Sequence, residues 1–316
     1  MGYKLAGCEV LGCCEIDHRM NEVYVKNHHP KHNYLMDIRE FNKLEDLPEE
    51  LYNLDILDGS PPCTTFSMAG DREDSWGKKK KFREGQAEQT LDDLSFVFIE
   101  TVAKLRPKCV VMENVEGLIK GEAWSYVQEI YSHLNKIGYK THHWLLKGEE
   151  MGVPQSRHRV FFVAIREDLS FDPKNLDMYF NYEPITYGVI KSGVGDEMNP
   201  ETRTYQLLCK CKDTDRFLCD VVEREEGKSS LFNYVILQDQ YMFPTLTAGS
   251  AVTPMRGKEK TYCTCEDMIH AQTFPEDYDF INRSRTNVQY ICGMSVPPIM
   301  IKRIVTRLIE GGVFNG

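Results

Sequence analysis

Short, near-continuous apolar runs separated by stretches of helical period constrain the fold more than anything else in the first half of this chain. Glu9-Val10-Leu11-Gly12-Cys13-Cys14 reads as a buried strand ending at the acids Glu15 and Asp17. The segments Tyr34-Leu35-Met36, Leu54 to Leu57, Cys109-Val110-Val111-Met112 and Val160 to Ile165 read the same way. Between them, Met20 to about Asn27 suits a helix. Leu91 to Leu105 places Leu91, Leu94, Phe98 and Val102 on one helical face, and Trp124 to Ile137 is a further amphipathic helix stopped by Gly138. Strands of this kind separated by helices predict an α/β domain with a largely parallel sheet.

From about Leu169 to Phe243 the texture changes to turn residues, mixed charge and no sustained period, which predicts a smaller, loop-rich domain. Helices are expected again over Asp267 to Phe274 and Pro297 to Leu308, so the first domain is expected to span 1–168 and to resume over 244–316. The chain has 316 residues, enough for one large or two modest cores. It has no apolar run of membrane-spanning length, and its start lacks a basic-then-apolar leader. Eleven irregularly spaced cysteines therefore suit reduced thiols in a cytoplasm. Cys209-Lys210-Cys211 with Cys219, and Cys263-Thr264-Cys265, lack paired C-x₂-C spacing, so no metal is expected.

Ligands in α/β sheets bind beyond the carboxyl ends of the strands. Here those ends carry Glu15 and Asp17, then Asp37-Ile38, then Pro61-Pro62-Cys63, then Glu113-Asn114-Val115. Two prolines must stop a strand, because each fixes φ and removes a donor, so the Cys63 thiol is held on a rigid turn at the sheet's edge. That is a common way to present a nucleophilic cysteine. The net charge of −10 opposes non-specific binding to phosphates, so a nucleic-acid ligand would need local basic patches. Lys78-Lys79-Lys80-Lys81 with Arg83 is one candidate.

Ser60-Pro61-Pro62-Cys63 with Phe66-Ser67, Glu113-Asn114-Val115 and Gln155-Ser156-Arg157-His158-Arg159 resemble the ordered motifs of the DNA cytosine-5 methyltransferases. So do Thr245-Leu246-Thr247, Gln272-Thr273-Phe274-Pro275-Glu276-Asp277-Tyr278 and Gly293-Met294-Ser295-Val296-Pro297-Pro298. The resemblance implies a Rossmann-like methyltransferase fold that uses S-adenosylmethionine, with 169–243 as a target-recognition domain. It implies Cys63 as the covalent nucleophile, Glu113 at the base's N3 with Asn114 holding it, Arg159 at O2 and Arg157 in support. Glu15, Ile16, Asp37, Ile38, Pro62, Leu94, Ser295 and Val296 would hold the cofactor. Ser67, Lys78, Lys79, Lys80, Lys81, Arg83, Gln155 and Thr245 would meet double-stranded DNA around a flipped base.

The resemblance further implies a bacterial or phage modification system with a possible cognate endonuclease, and a cytoplasmic, monomeric protein without a membrane partner. Two other readings fit the same motifs: a DNA-binding relative that no longer catalyses, and an RNA cytosine methyltransferase. The Cys-Phe-Thr signature of the tRNA-methylating branch is not visible. Two departures stand out. The family's Phe-x-Gly-x-Gly cofactor turn, with Glu15 as its matching acid, would fall upstream of Met1, and Gly2 to Gly7 look like the remnant of the helix after it. Met294 stands where the family usually has asparagine.

Overall fold

The structure, a computed structural model, describes residues 1–61, 94–232, 234–248 and 253–315. In chain order its helices are α1 (Gly2–Leu5), α2 (His18–His28), α3 (Ile38–Lys43), α4 (Leu94–Leu105) and α5 (Trp124–Lys136). Then come α6 (Tyr187–Ile190), α7 (Arg203–Leu208), α8 (Leu218–Glu226), α9 (Cys265–Gln272), α10 (Arg285–Met294) and α11 (Pro298–Glu310). The strands are β1 (Gly12–Glu15), β2 (His32–Leu35), β3 (Ile56–Gly59), β4 (Cys109–Val115), β5 (Tyr139–Lys147) and β6 (His158–Arg166). Further on lie β7 (Asp196–Glu197), β8 (Tyr234–Leu237), β9 (Thr253–Arg256) and β10 (Thr261–Tyr262).

The chain divides into two compact units. One comprises residues 6–146, 158–179 and 303–316, and the other 1–5, 147–157 and 180–302. These limits fall elsewhere than the changes of texture at 168 and 243, because 244–302 joins the unit of 180–243.

The first unit holds two sheets. β1 pairs in parallel with β2, and a second sheet has the order β3-β4-β6-β5. β3 and β4 are parallel, whereas β6 runs antiparallel to β4 with Glu113 opposite Phe161 and Val115 opposite Arg159. The expectation of a largely parallel sheet is therefore corrected: β6 reverses direction beside β4. Apolar content reveals that a strand is buried and not which way it runs.

α4 covers this sheet because Leu94, Val97, Phe98, Val102 and Leu105 recur at helical spacing on its buried face. α5 does the same with Val127, Ile130 and Leu134, and ends before Gly138, whose φ of +84° suits glycine best. Phe98, Val110, Met112, Leu118, Val160 and Phe162 share the resulting core. At the end of β3, a Cβ on Gly59 would lie 2.5 Å from the Phe98 ring. Only glycine lets α4 sit this close to the strand that leads into Pro61.

In the second unit β7-β10-β9-β8 form a small sheet, against which α7 and α8 bury Leu207, Leu208, Leu218, Val221 and Val222 beside Ile236 and Met255. No elements were expected in the part of this unit before Phe243. Its helices are too short to show more than one or two periods.

Candidate active site

The carboxyl end of β4 carries the most specific geometry. Glu113 and Arg159 sit diagonally across β4 and β6, a spacing that long side chains span. Arg159 Nε donates to Glu113 Oε1 at 2.8 Å, with the two side chains 14% and 13% exposed. One guanidinium nitrogen of Arg159 donates to the His158 carbonyl at 2.7 Å. A carboxylate can accept up to about four hydrogen bonds, so Glu113 keeps capacity for a further partner.

Asn114 is buried and faces the other way. Its Nδ2 donates to the Pro61 carbonyl at 3.2 Å while its Oδ1 accepts from the Val115 amide at 2.9 Å. It was expected to hold Glu113. Instead it ties the end of β4 to the residue two positions before Cys63. Pro62, Cys63, Ser67, Lys78, Lys79, Lys80, Lys81 and Arg83 lie outside the described residues, as does Leu91.

Beside the pair, Glu116 Oε1 takes the Lys120 ammonium at 2.7 Å and its Oε2 lies 3.5 Å from His158 Nδ1. Lys120 chiefly, aided by His158, holds the Glu116 carboxyl below the usual carboxylate range. Sequence reasoning missed this trio. Its only signal was the Glu-Lys pair at i, i+4 just past the Glu-Asn motif.

At the carboxyl ends of β1 and β2, where Glu15 lies opposite Leu35, the Met36 amide donates to the Glu15 carbonyl at 3.1 Å, which extends the pairing to the residue before Asp37. Burial pushes the Glu15 carboxyl up, although it accepts the Asp17 amide at 2.8 Å. Ile16 next to it is an exposed apolar side chain beside an acid. Asp37 caps α3 by accepting from the Arg39 amide at 2.8 Å and pairs with the Arg39 guanidinium. That capping role was not foreseen. Ile38 is half-buried in α3, and Leu94 is buried at the start of α4.

In the second unit, motifs far apart in sequence meet around Gln155 and Arg157. Gln155 is fully buried; its Nε2 donates to Gln272 Oε1 at 2.7 Å and its Oε1 accepts the Leu246 amide at 3.1 Å. A side chain with no exposed surface meets no DNA, so the expectation for Gln155 is corrected: it is an internal tie.

Arg157, also buried, donates to the Leu246 carbonyl at 2.8 Å and the Gly293 carbonyl at 3.1 Å. These two donations tie residues 157, 246 and 293 together within this unit. A Cβ on Gly293 would lie 2.2 Å from the Ala248 amide nitrogen, so glycine is required where α10 meets residues 247–248. The half-buried Thr245 donates its hydroxyl to the Ser156 carbonyl. Ser295 Oγ donates to Ile291 and its carbonyl accepts from Gln272; Val296 is half-buried and Met294 exposed. The described cysteines are free thiols, and no helix among the described residues is long and apolar enough to cross a membrane.

The profile of the C-5 cytosine-specific DNA methylase family matches residues 1–310. The type II methyltransferase M.Bsp6I of Bacillus sp. (strain RFL6) is 25% identical over 292 residues, which span 87% of this chain and 83% of that protein. M.HindV, a type II methyltransferase of Haemophilus influenzae, is 30% identical over 204 residues, 64% of this chain and 60% of its own length. A putative DNA modification methyltransferase encoded within an E. coli prophage superposes with a TM-score of 0.69 at 18% identity, over 100% of this chain and 95% of that one. The chain therefore belongs to the C-5 cytosine-specific DNA methylase family, with the S-adenosylmethionine-dependent methyltransferase fold and methylation of cytosine C5 in DNA as its reaction.

Proposed function

We propose that Cys63, Glu113 and Arg159 carry out this methylation on a cytosine turned out of duplex DNA. The observation that carries the assignment is the Glu113–Arg159 pair at the end of β4, beside an asparagine that anchors Pro61 two residues before the thiol. Cytosine C5 is a weak nucleophile. Addition of the Cys63 thiolate to C6 pushes electron density toward C5 and N3. The Glu113 carboxyl shares a proton with N3, and the Arg159 guanidinium stabilises charge at O2. Bound S-adenosylmethionine supplies an electrophilic methyl group to C5. Loss of the C5 proton then lets the Cys63–C6 bond break and restores the aromatic ring.

The residues at the end of β1 suit the cofactor's nucleoside. Glu15 keeps an acceptor for ribose hydroxyls and Ile16 offers an apolar face to a flat ring. Asp37 and Ile38 follow β2 at the same end, with Leu94, Ser295 and Val296 as further candidates. Lys78 to Lys81, Arg83, Ser67 and Thr245 are proposed DNA contacts, and 169–243 is the proposed target-recognition region. The designation of M.Bsp6I and M.HindV as type II methyltransferases supports a restriction-modification role beside an endonuclease; a monomeric, cytoplasmic protein is part of the same proposal.

Duplex oligonucleotides carrying a fluorinated cytosine, offered with S-adenosylmethionine, test the assignment. A stable protein–DNA crosslink that maps to residue 63 and is lost in Cys63→Ala is the expected result. Methyl transfer by Cys63→Ala would overturn the covalent role. Methyl transfer to tRNA and not to duplex DNA would favour the RNA reading.

A further inference from the structure

Of the seven arginines in the second unit, six are spent inside it. Arg157 and Arg285 donate to backbone carbonyls. Arg203, Arg224, Arg256 and Arg283 pair with Glu226, Asp215, Asp267 and Glu266. Arg216 is the exception. Among the described residues its guanidinium meets neither a carboxylate nor a carbonyl, and lies instead over the Tyr241 ring, 4.1 Å from the centroid.

The backbone beneath this stack is fixed on both sides. The Arg216 amide donates to Asp220 Oδ2 at 3.0 Å, and its carbonyl accepts the Ile236 amide at 2.9 Å. The Tyr241 amide donates to the Gln238 carbonyl at 3.0 Å, and its carbonyl accepts the Tyr187 amide at 2.7 Å. Gln240 Nε2 joins the two segments by donating to the Asp213 carbonyl at 3.1 Å. Arg216 is exposed above a half-buried ring. A guanidinium stacked on an aromatic face has its plane set in advance, so less rotamer freedom is lost when its donors are engaged. All five N–H donors are left for a ligand.

The surroundings favour a base over a phosphate. Within four residues of Arg216 the chain carries Asp213, Asp215 and Asp220 against the single cation Lys212. A phosphate there would meet repulsion, whereas the edge of a base is uncharged. Phe217, the next residue, is exposed as well. An apolar side chain suits a base or a methyl group and offers a phosphate nothing. A planar fork of donors matches the O6 and N7 acceptors of guanine in the major groove, the commonest specific contact that arginine makes with DNA.

We propose that Arg216, held flat on Tyr241, reads a guanine in the DNA site that this protein methylates. It is a specificity-determining residue: it selects one base pair beside the target cytosine and takes no part in methyl transfer. The assignment rests on 169–243 serving as the target-recognition region, and it adds to that reading the residue and the base.

The test offers the full chain, with S-adenosylmethionine, a library of duplexes randomised on both sides of one cytosine, and sequences those it retains. The parent is expected to enrich guanine at a fixed position. Arg216→Ala should lose that preference by about 10- to 100-fold at this one position and keep the others, the scale of one bidentate base contact. Arg216→Lys keeps the charge without the fork and should lose the same preference. Both variants should melt with the parent, because an exposed side chain without a partner is being changed. Profiles identical to the parent's overturn the assignment. So does a parent that enriches no guanine. Weakening of all sequences alike by Arg216→Ala, restored by Arg216→Lys, would make the contact a phosphate and overturn it as well. The fluorinated-cytosine crosslink, run on the retained duplexes, separates this proposal from the covalent one. A crosslink at Cys63 with unchanged profiles sinks only the role of Arg216; altered profiles without a crosslink sink only the role of Cys63.

Discussion

Two arginine–carboxylate pairs, one in each unit, show how the same chemistry serves different ends. Arg256 and Asp267 are 2% and 0% exposed and meet at 2.8 Å. Asp267 also accepts from Tyr187 Oη at 2.8 Å, the Ser192 amide at 2.8 Å and the Thr264 amide at 3.0 Å. Arg256 donates further to the Gly193 and Ser192 carbonyls. Arg159 and Glu113 meet at the same distance, but they sit at a strand end with part of each side chain exposed. A pair whose hydrogen bonds are all taken by the protein holds the fold. A pair with capacity left over is placed to take a ligand. The two pairs are separated by what remains unsatisfied around them.

The comparison breaks most readily at the buried pair. Asp267→Ala strands the Arg256 guanidinium without its counter-charge, and removing one partner of a buried pair costs about 3–5 kcal/mol. Urea unfolding of the second unit should show a loss of that size. A loss below about 1 kcal/mol, the level of a surface pair, would mean that the Arg256 network is not the lock described. At the other pair the damage should fall on rate. Arg159→Ala is expected to slow methyl transfer by about 10²-fold or more, the scale of losing one charge-stabilising donor, with a far smaller change in urea midpoint than Asp267→Ala. Equal effects on stability at both sites would erase the distinction.

Asn114 sharpens it further. Its amide joins the ends of β4 and β3, so Asn114→Ala should cost about 1–2 kcal/mol for the buried hydrogen bonds. It should also lower kcat for methylation more than it raises KM for DNA, since it positions the chain leading to Cys63 rather than touching the duplex. A change in KM alone would place Asn114 at the DNA.

The sequence made β4 and β6 legible because both are buried along most of their length and read as unbroken apolar runs. It made the ends of β1, β2 and β4 legible because polar residues follow those runs at once. β5 stayed hidden because Thr141-His142-His143-Trp144 mixes polar and aromatic side chains on a strand at the sheet's edge. α7 and α8 stayed hidden because short helices hold too few turns to establish a period. Gln155 was misread for a different reason: a polar residue inside a site motif looks like a contact until its burial is known. The Arg256–Asp267 pair left no trace at all, since its partners Tyr187, Ser192 and Gly193 lie over sixty residues away.

The smallest effect concerns Glu116, whose carboxyl Lys120 and then His158 hold below its usual range. A depressed carboxyl contributes stability above its unfolded pKa, about 4.3, and that contribution is lost as pH falls through the folded value. Lys120→Met removes the main cause, so the variant should lose less stability than the parent as the pH falls from about 6 to 3. Lys120 is half-exposed, so salt screens the pair and the difference should shrink in concentrated salt. Urea midpoints across that range, at low and high salt, provide the measurement. Parallel curves for parent and variant would show that Lys120 does not hold Glu116.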